Sequence, residues 1–175
     1  MCLIALSVEK SKDWSGKDSY FFKIIANRDE YHERPTSGMK WWSNNIVLAG
    51  RDEEAGGTWL GVSKEGKFGA ITNLKEETDV KYSNSRGSLV TEFLESQLSA
   101  KSYLEALEAN KENYAGFNLI VGDKSGLFYL CNRLEGIFFI SEGIHALGNL
   151  TLNSSTKKIE SIKSDFNRIL HEGFT

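Results

Sequence analysis

Short apolar runs, separated by glycines, constrain this chain more than any other feature. Gly 16 stands against Pro 1. Glycine-rich, proline-poor chains fit β-rich folds with tight turns. Cys2–Val8, Tyr20–Ala26, Ile46–Ala49, Thr58–Ser63 and Phe68–Thr72 read as strands, the first two as a hairpin. Glu9–Asp18 between them reads as a turn. Asn27–Ser37, which holds Pro35, reads as a loop over a strand end, and Glu65-Gly66 as a two-residue hairpin turn. The texture then changes. Leu89, Val90, Phe93, Leu94 and Leu98 fall at helical spacing behind Ser88 as N-cap. A second helix is expected over Lys101–Asn113, with Ser102 and Glu105 at capping-box spacing. Strands resume at Phe117–Val121, Leu127–Cys131, Ile137–Ile140 and Ile144–Leu147. Ile159, Ile162, Phe166, Ile169 and Leu170 mark a final amphipathic helix. Strands joined by tight turns pair antiparallel, so the pattern is α+β.

The 175 residues suit one domain, 1–175. A net charge of −3 and a pI near 5.7 argue against nucleic acid or an anionic membrane as partner. The apolar start is too short to span a bilayer and lacks a signal peptide's basic region, so a cytoplasmic location is expected. Two cysteines, Cys2 and Cys131, cannot build a disulfide framework. His32, His145 and His171 show no metal-ligand spacing, so no metal is expected. The glycine-rich stretches are not phosphate loops, since no Gly-Lys-Ser/Thr follows them.

Four places carry residues suited to chemistry. Cys2 becomes N-terminal if Met1 is removed, and its α-amine, with a pKa of about 8, then lies within reach of its own sulfur as a general base. The alternative is a small buried strand residue. Asn27-Arg28-Asp29-Glu30 follows a strand: it either solvates a loop or places a cation beside a thiol. Ala49-Gly50-Arg51-Asp52 with Gly56-Gly57-Thr58-Trp59-Leu60-Gly61 is either a glycine turn with a core tryptophan or a close backbone approach to a ligand. Asn73, ending Ile71-Thr72-Asn73, is either a turn cap or an oxyanion donor.

Together these segments resemble the NRDE protein family, also called the transport and Golgi organisation family. The resemblance rests on Met1-Cys2-Leu3-Ile4, Ala26-Asn27-Arg28-Asp29-Glu30, Ala49-Gly50-Arg51-Asp52, Gly56–Gly61, Thr72-Asn73, Ser85-Arg86-Gly87 and Gly116-Phe117-Asn118-Leu119, in family order. It implies a four-layer αββα sandwich of two antiparallel sheets, N-terminal-nucleophile hydrolase-like. It also implies a cysteine hydrolase or acyltransferase acting on a small acyl amide or thioester. Cys2 would be the nucleophile, Arg28 would favour its thiolate, Asp29 would bond the α-amine, and Asn73 would hold the oxyanion. Asn27, Arg51, Trp59, Arg86 and Asn149 are the substrate-binding candidates. A second implied use of the same pocket is haem or lipid handling without catalysis, with His145, or else Cys2, Cys131 or His32, as haem ligand. A third is an inactive remnant of the fold.

The pattern departs from the family twice. Gly148 stands where members usually carry serine, before Asn149. Members also generally continue well beyond this chain's length and carry Trp-Pro-Lys where Asn153–Lys158 lies. Sheet strands are therefore expected to be missing. A homodimer partner, or the rest of a longer chain, would cover the exposed edge.

Overall fold

In the computed structural model, which describes residues 2–12, 15–16, 18–76, 80, 82 and 84–172, the first two strands form the expected hairpin. Strand β1 (Leu3–Lys12) pairs antiparallel with β2 (Asp18–Asn27). Half of the expected turn is strand, because Glu9 to Lys12 pair residue by residue with Phe21 to Asp18. Backbone pairing carries that polar extension, and burial does not. Residues 13, 14 and 17 of the expected turn lie outside the described residues.

A seven-stranded sheet follows in chain order: β3 (Thr36–Trp41), β4 (Val47–Asp52), β5 (Leu60–Ser63), β6 (Phe68–Asn73), β7 (Phe117–Asp123), β8 (Gly126–Cys131) and β9 (Phe138–Ile140). All its pairings are antiparallel. β3 escapes sequence reading: it is largely exposed, and a bulge between Ser37 and Lys40 breaks its alternation. The β5–β6 turn has three residues, Lys64 to Gly66, because the Ser63 N–H donates to Lys67 O and closes the ladder. Gly66 takes the left-handed position that a three-residue loop requires (φ 80°). Finally β10 (Gly143–Leu147) returns to β1, with Leu147 opposite Ile4, completing a three-stranded sheet β10-β1-β2.

The two sheets face each other. Ile4, Leu6 and Val8 alternate inward from β1 and meet Phe68, Ala70, Ile120 and Leu127 of the large sheet. The other face of the large sheet offers Val47, Ile71, Leu119 and Val121 to helices α1 (Arg86–Glu95) and α2 (Ala100–Glu108), which supply Leu89, Val90, Phe93 and Leu104. β6 and β7 read as continuous apolar runs because both their faces are covered. Each fully buried Leu, Ile or Phe contributes about 1.5–3 kcal/mol relative to exposure. Helix α3 (Lys157–Glu172) packs on β10 and β1 and buries Ile159 and Phe166. The layers therefore run α3, small sheet, large sheet, α1 with α2: an αββα sandwich of antiparallel sheets.

The helix ends are set one turn earlier than the sequence suggests. α1 begins at Arg86 after Ser85, so Ser88 sits inside the first turn and its hydroxyl donates to Ser85 O (2.9 Å). Leu98 falls beyond the helix and is exposed. In α2 the true cap is Ser99, whose hydroxyl accepts from the Ser102 N–H (3.1 Å). Asp123, at the end of β7, accepts the Ala100 N–H (2.7 Å) and places a carboxylate at the same helix start. α2 stops at Glu108, and a separate 3₁₀ turn spans Lys111–Asn113. Lys67 donates to Phe93 O (3.2 Å) and Ser96 O (2.6 Å), capping the carbonyl end of α1 with a cation. Among the described residues, no helix is long and apolar enough to cross a membrane.

Candidate functional site

Antiparallel alternation gathers the motif segments at one end of the sandwich. Leu3 pairs with Asn27, so the start of β1 and the exit of β2 coincide, and Cys2 comes close to Arg28 and Asp29. Leu147 pairs with Ile4, so Asn149 leaves β10 at the same end. The ends of β4 and β6 and the starts of β5 and β7 arrive there from the large sheet. Between them lies a cleft of about 990 Å³.

The cleft is lined by all four expected catalytic residues: Cys2, Arg28, Asp29 and Asn73. Of the expected substrate-binding residues it gathers Arg51, Trp59, Arg86 and Asn149. Asn27 lies elsewhere, on a small groove with Leu3, Ala5 and Ile162. His145 is also outside the cleft. Its Nε2 lies 2.9 Å from Ser141 O, and its Nδ1 lies 2.9 Å from the Asn153 side-chain nitrogen. The Asn153 side-chain oxygen accepts the Ala146 N–H, which fixes the amide as donor to the ring. His145 is thus a neutral imidazole with both nitrogens engaged. Burial pushes its pKa below the ordinary histidine value.

Arg28 is held from below by carboxylates. Its Nη2 lies 3.1 Å from Asp52 Oδ2 and 3.3 Å from Glu30 Oε2. Arg34 Nε reaches the same Asp52 oxygen at 2.6 Å. Asp52 Oδ1 accepts the N–H groups of Glu54 (3.1 Å) and Ala55 (3.0 Å). Burial alone would raise the Asp52 pKa, but Arg34 and the two N–H groups bring it below the usual carboxylate value. Asp52, Arg34 and Glu30 were given no role from sequence. The available signal was an aspartate opening a glycine-rich turn, where such residues bond the N–H groups two and three residues on. Hydrogen bonding and neighbouring positive charge hold Asp29 below its ordinary pKa. Met1 itself lies outside the described residues.

Asn149 ties the two sheets together at the cleft. Its side-chain nitrogen donates to Asn73 O (2.7 Å), and its own carbonyl accepts the Lys75 N–H (2.7 Å). Its side-chain oxygen is buried and accepts no hydrogen bond from a described residue. A buried network fixes the segment that carries it. Thr72 donates to Gly148 O (2.7 Å), and Asn118 donates to Leu150 O (3.0 Å) and, less closely, to Thr72 Oγ1. The Tyr129 hydroxyl donates to Asn118 Oδ1 (2.6 Å) and accepts the Leu152 N–H. Burial pushes the Tyr129 pKa well above its ordinary value, so that hydroxyl stays protonated. Thr72 and Asn118, two of the motif residues, therefore build the site's frame.

The glycines of the Gly56–Gly61 motif bring α1 to the cleft. Gly57 packs directly against the backbone of Gly87, and the Thr58 N–H donates to Gly87 O (3.3 Å). Arg86, next in the chain, then lines the cleft and donates to Gly116 O (3.0 Å). Burial pushes its pKa down, offset by the more distant Glu76 and Glu30. Trp59 lines the cleft while packing against both hydrophobic cores. Among the described residues, no group of three or more His, Cys, Asp or Glu side chains is placed to hold a metal ion.

Two facing antiparallel sheets between helices, with Cys2 leading the first strand into an end cleft, make this an α+β protein of the αββα sandwich class. The chain belongs to the Transport and Golgi organisation 2 family, whose family model matches residues 1–174. A mouse protein, "Transport and Golgi organization 2 homolog", is 36 % identical over 169 residues. The bovine and human proteins, each "Transport and Golgi organization protein 2 homolog", are 36 % and 34 % identical over the same length. Each alignment covers 91 % of this chain and 60 % of the relative, so the chain spans less than two thirds of the relatives' length.

Proposed function

We propose that the chain is a cysteine N-terminal-nucleophile hydrolase or acyltransferase acting on a small acyl amide or thioester. The observation that carries this reading is the meeting of Cys2 with Arg28, Asp29 and Asn73 in one cleft. With Met1 removed, the α-amine of Cys2 takes the thiol proton and Sγ attacks the acyl carbonyl. Asn73 and backbone N–H groups stabilise the resulting oxyanion. The intermediate collapses, the C–N or C–S bond breaks, and the ammonium returns its proton to the leaving group. Water, or an acceptor nucleophile, then attacks the thioester on Cys2, giving its own proton to the amine and releasing the acyl product. Asp29 holds the amine, and Arg28 acts from a position set by Asp52 and Glu30. The unpartnered side-chain oxygen of Asn149 suits an amide N–H of the substrate.

The test is intact-mass measurement with competitive alkylation and a small acyl thioester probe. The expected result is loss of Met1, modification of Cys2 well ahead of the fully buried Cys131, and an acyl adduct that Cys2→Ala abolishes. Retention of Met1, equal alkylation of the two thiols, or an adduct surviving Cys2→Ala overturns the reading.

A further inference from the structure

Among the described residues, the lining of the cleft carries a charge opposite to that of the chain. Its described lining includes five cationic side chains, Arg28, Arg34, Arg51, Lys75 and Arg86, against three anionic ones, Asp29, Glu30 and Asp52. The chain as a whole has net charge −3. Excess positive charge inside a low-dielectric recess focuses an attractive field on anions. Two of these acids are engaged by arginines: Asp52 holds Arg28 and Arg34, and Glu30 also holds Arg28.

Arg51, Lys75 and Arg86 form no ion pair with a described residue. The two arginines are instead steered by neutral carbonyls. Arg51 Nε donates to Gly56 O at 3.2 Å, with its guanidinium 4.8 Å from the Trp42 ring centre. Arg86 Nη1 donates to Gly116 O at 3.0 Å. Each is left with most of its five N–H donors unspent. The Gly57–Gly87 contact joins the segment on which Arg51 rests, at Gly56, to the segment that carries Arg86. Arg86 is partly buried with no carboxylate in ion-pair contact, and a bound oxyanion with bidentate geometry would offset that burial, while Arg51 is exposed and free to reach the same ligand.

We propose that Arg86, with Arg51 across the Gly57–Gly87 junction, forms a subsite for an oxyanion of the ligand, a carboxylate or a phosphate. The subsite rests on the enzymatic reading above for its place beside an acyl group, and it makes the substrate an anionic acyl compound. Lys75 adds to the field at the rim.

The test is calorimetric binding to the Cys2→Ala protein, which separates recognition from turnover. Three probes carry an eight-carbon chain: N-octanoylglycine, its neutral carboxamide, and octyl phosphate, an alkyl ester. At least one anionic probe is expected to bind roughly tenfold tighter than the carboxamide, with salt weakening only the anionic probe. Whichever anion is preferred identifies the source. Arg86→Gln and Arg51→Gln are each expected to erase most of the ratio between anionic-probe and carboxamide affinity. Should Arg86→Gln fail to fold by near-ultraviolet dichroism, Arg51→Gln and the salt dependence decide. Equal binding of all three probes, or a preference that survives the substitutions, overturns the subsite. A selective Cys2→Ala protein whose parent never forms an acyl adduct keeps the subsite and removes the catalytic reading. Equal acylation of the parent by neutral and anionic acyl donors does the reverse.

Discussion

A β-carbon built on Gly57 would stand 2.6 Å from the carbonyl carbon of Gly87 and 2.7 Å from its oxygen, whereas one on Gly87 meets nothing nearer than 3.4 Å. The contact is therefore one-sided. Gly57→Ala must push backbone against backbone, and a cost of about 1–3 kcal/mol is expected. Gly87→Ala lies in a helical first turn with room for its methyl, and is expected to be neutral or stabilising by up to about 1 kcal/mol. Urea unfolding of both variants measures the contrast; equal effects would contradict it.

Tyr129→Phe keeps the ring and deletes the hydroxyl that bonds Asn118 and Leu152. Buried partners left unsatisfied cost about 1–3 kcal/mol. The melting temperature is expected to fall, and the segment around Asn149 to become more open to limited proteolysis. A variant as stable and as resistant as the parent would show that the network frames nothing.

Asp52→Asn removes the carboxylate between Arg28 and Arg34. A loss of about 1–3 kcal/mol is expected near neutral pH. Because the folded pKa of Asp52 lies below its ordinary value of 3.8, the unfolded chain binds this proton first as pH falls. The parent's advantage is thus present above about pH 4 and is lost as pH drops through the lower, folded value. Stability curves for parent and variant are expected to converge in acid. Curves that stay parallel would contradict this.

His145 titrates in the same sense from the opposite charge. Its folded pKa is depressed from 6.5, so protonation begins in the unfolded chain as pH falls below that value. Protonation also turns Nδ1 into a donor facing the donor nitrogen of Asn153. Stability linked to His145 is therefore complete above about pH 6.5 and declines toward its folded pKa. In His145→Gln the decline below pH 6.5 is expected to flatten. An unchanged slope in denaturation at stepped pH would refute the assignment.

Ser99→Ala deletes the hydroxyl that accepts the Ser102 N–H, and should destabilise by about 1 kcal/mol. Ser88→Ala, inside α1 on an exposed hydrogen bond, should change stability by less than about 0.5 kcal/mol. Thermal melts of the two alanine variants separate the cap from the residue that merely resembles one.

Strand order, antiparallel pairing and the last helix were legible because tight turns and apolar periodicity are local signals. β3 was not, because its pairing with β4 draws on backbone groups and buries little side chain. Most of the candidate site was legible for a topological reason: its residues sit at strand ends that antiparallel pairing must bring to one side. Asn27 fails by one position. Side chains alternate along a strand, so Asn27 lies in the groove beside Leu3 and Ala5, while Arg28, beyond the strand, turns into the cleft. Asp52 was missed because its role depends on two arginines supplied by distant segments. Nothing local marks that meeting. Thr72 and Asn118 were visible as motif residues, but only their partners on the 148–150 segment reveal a framing role.

The pairing of Ile4 with Leu147 has a consequence in time. β1 can form its hairpin with β2 as soon as both have been synthesised, but its other neighbour, β10, is made almost a whole chain later. Closing so long a loop is entropically slow and gains little until the intervening sheet exists. The small sheet that presents Cys2 is thus completed after the seven-stranded sheet it faces. The Asn149 segment that follows β10 and lines the cleft with Cys2 is therefore absent until nearly all of this sequence has been made.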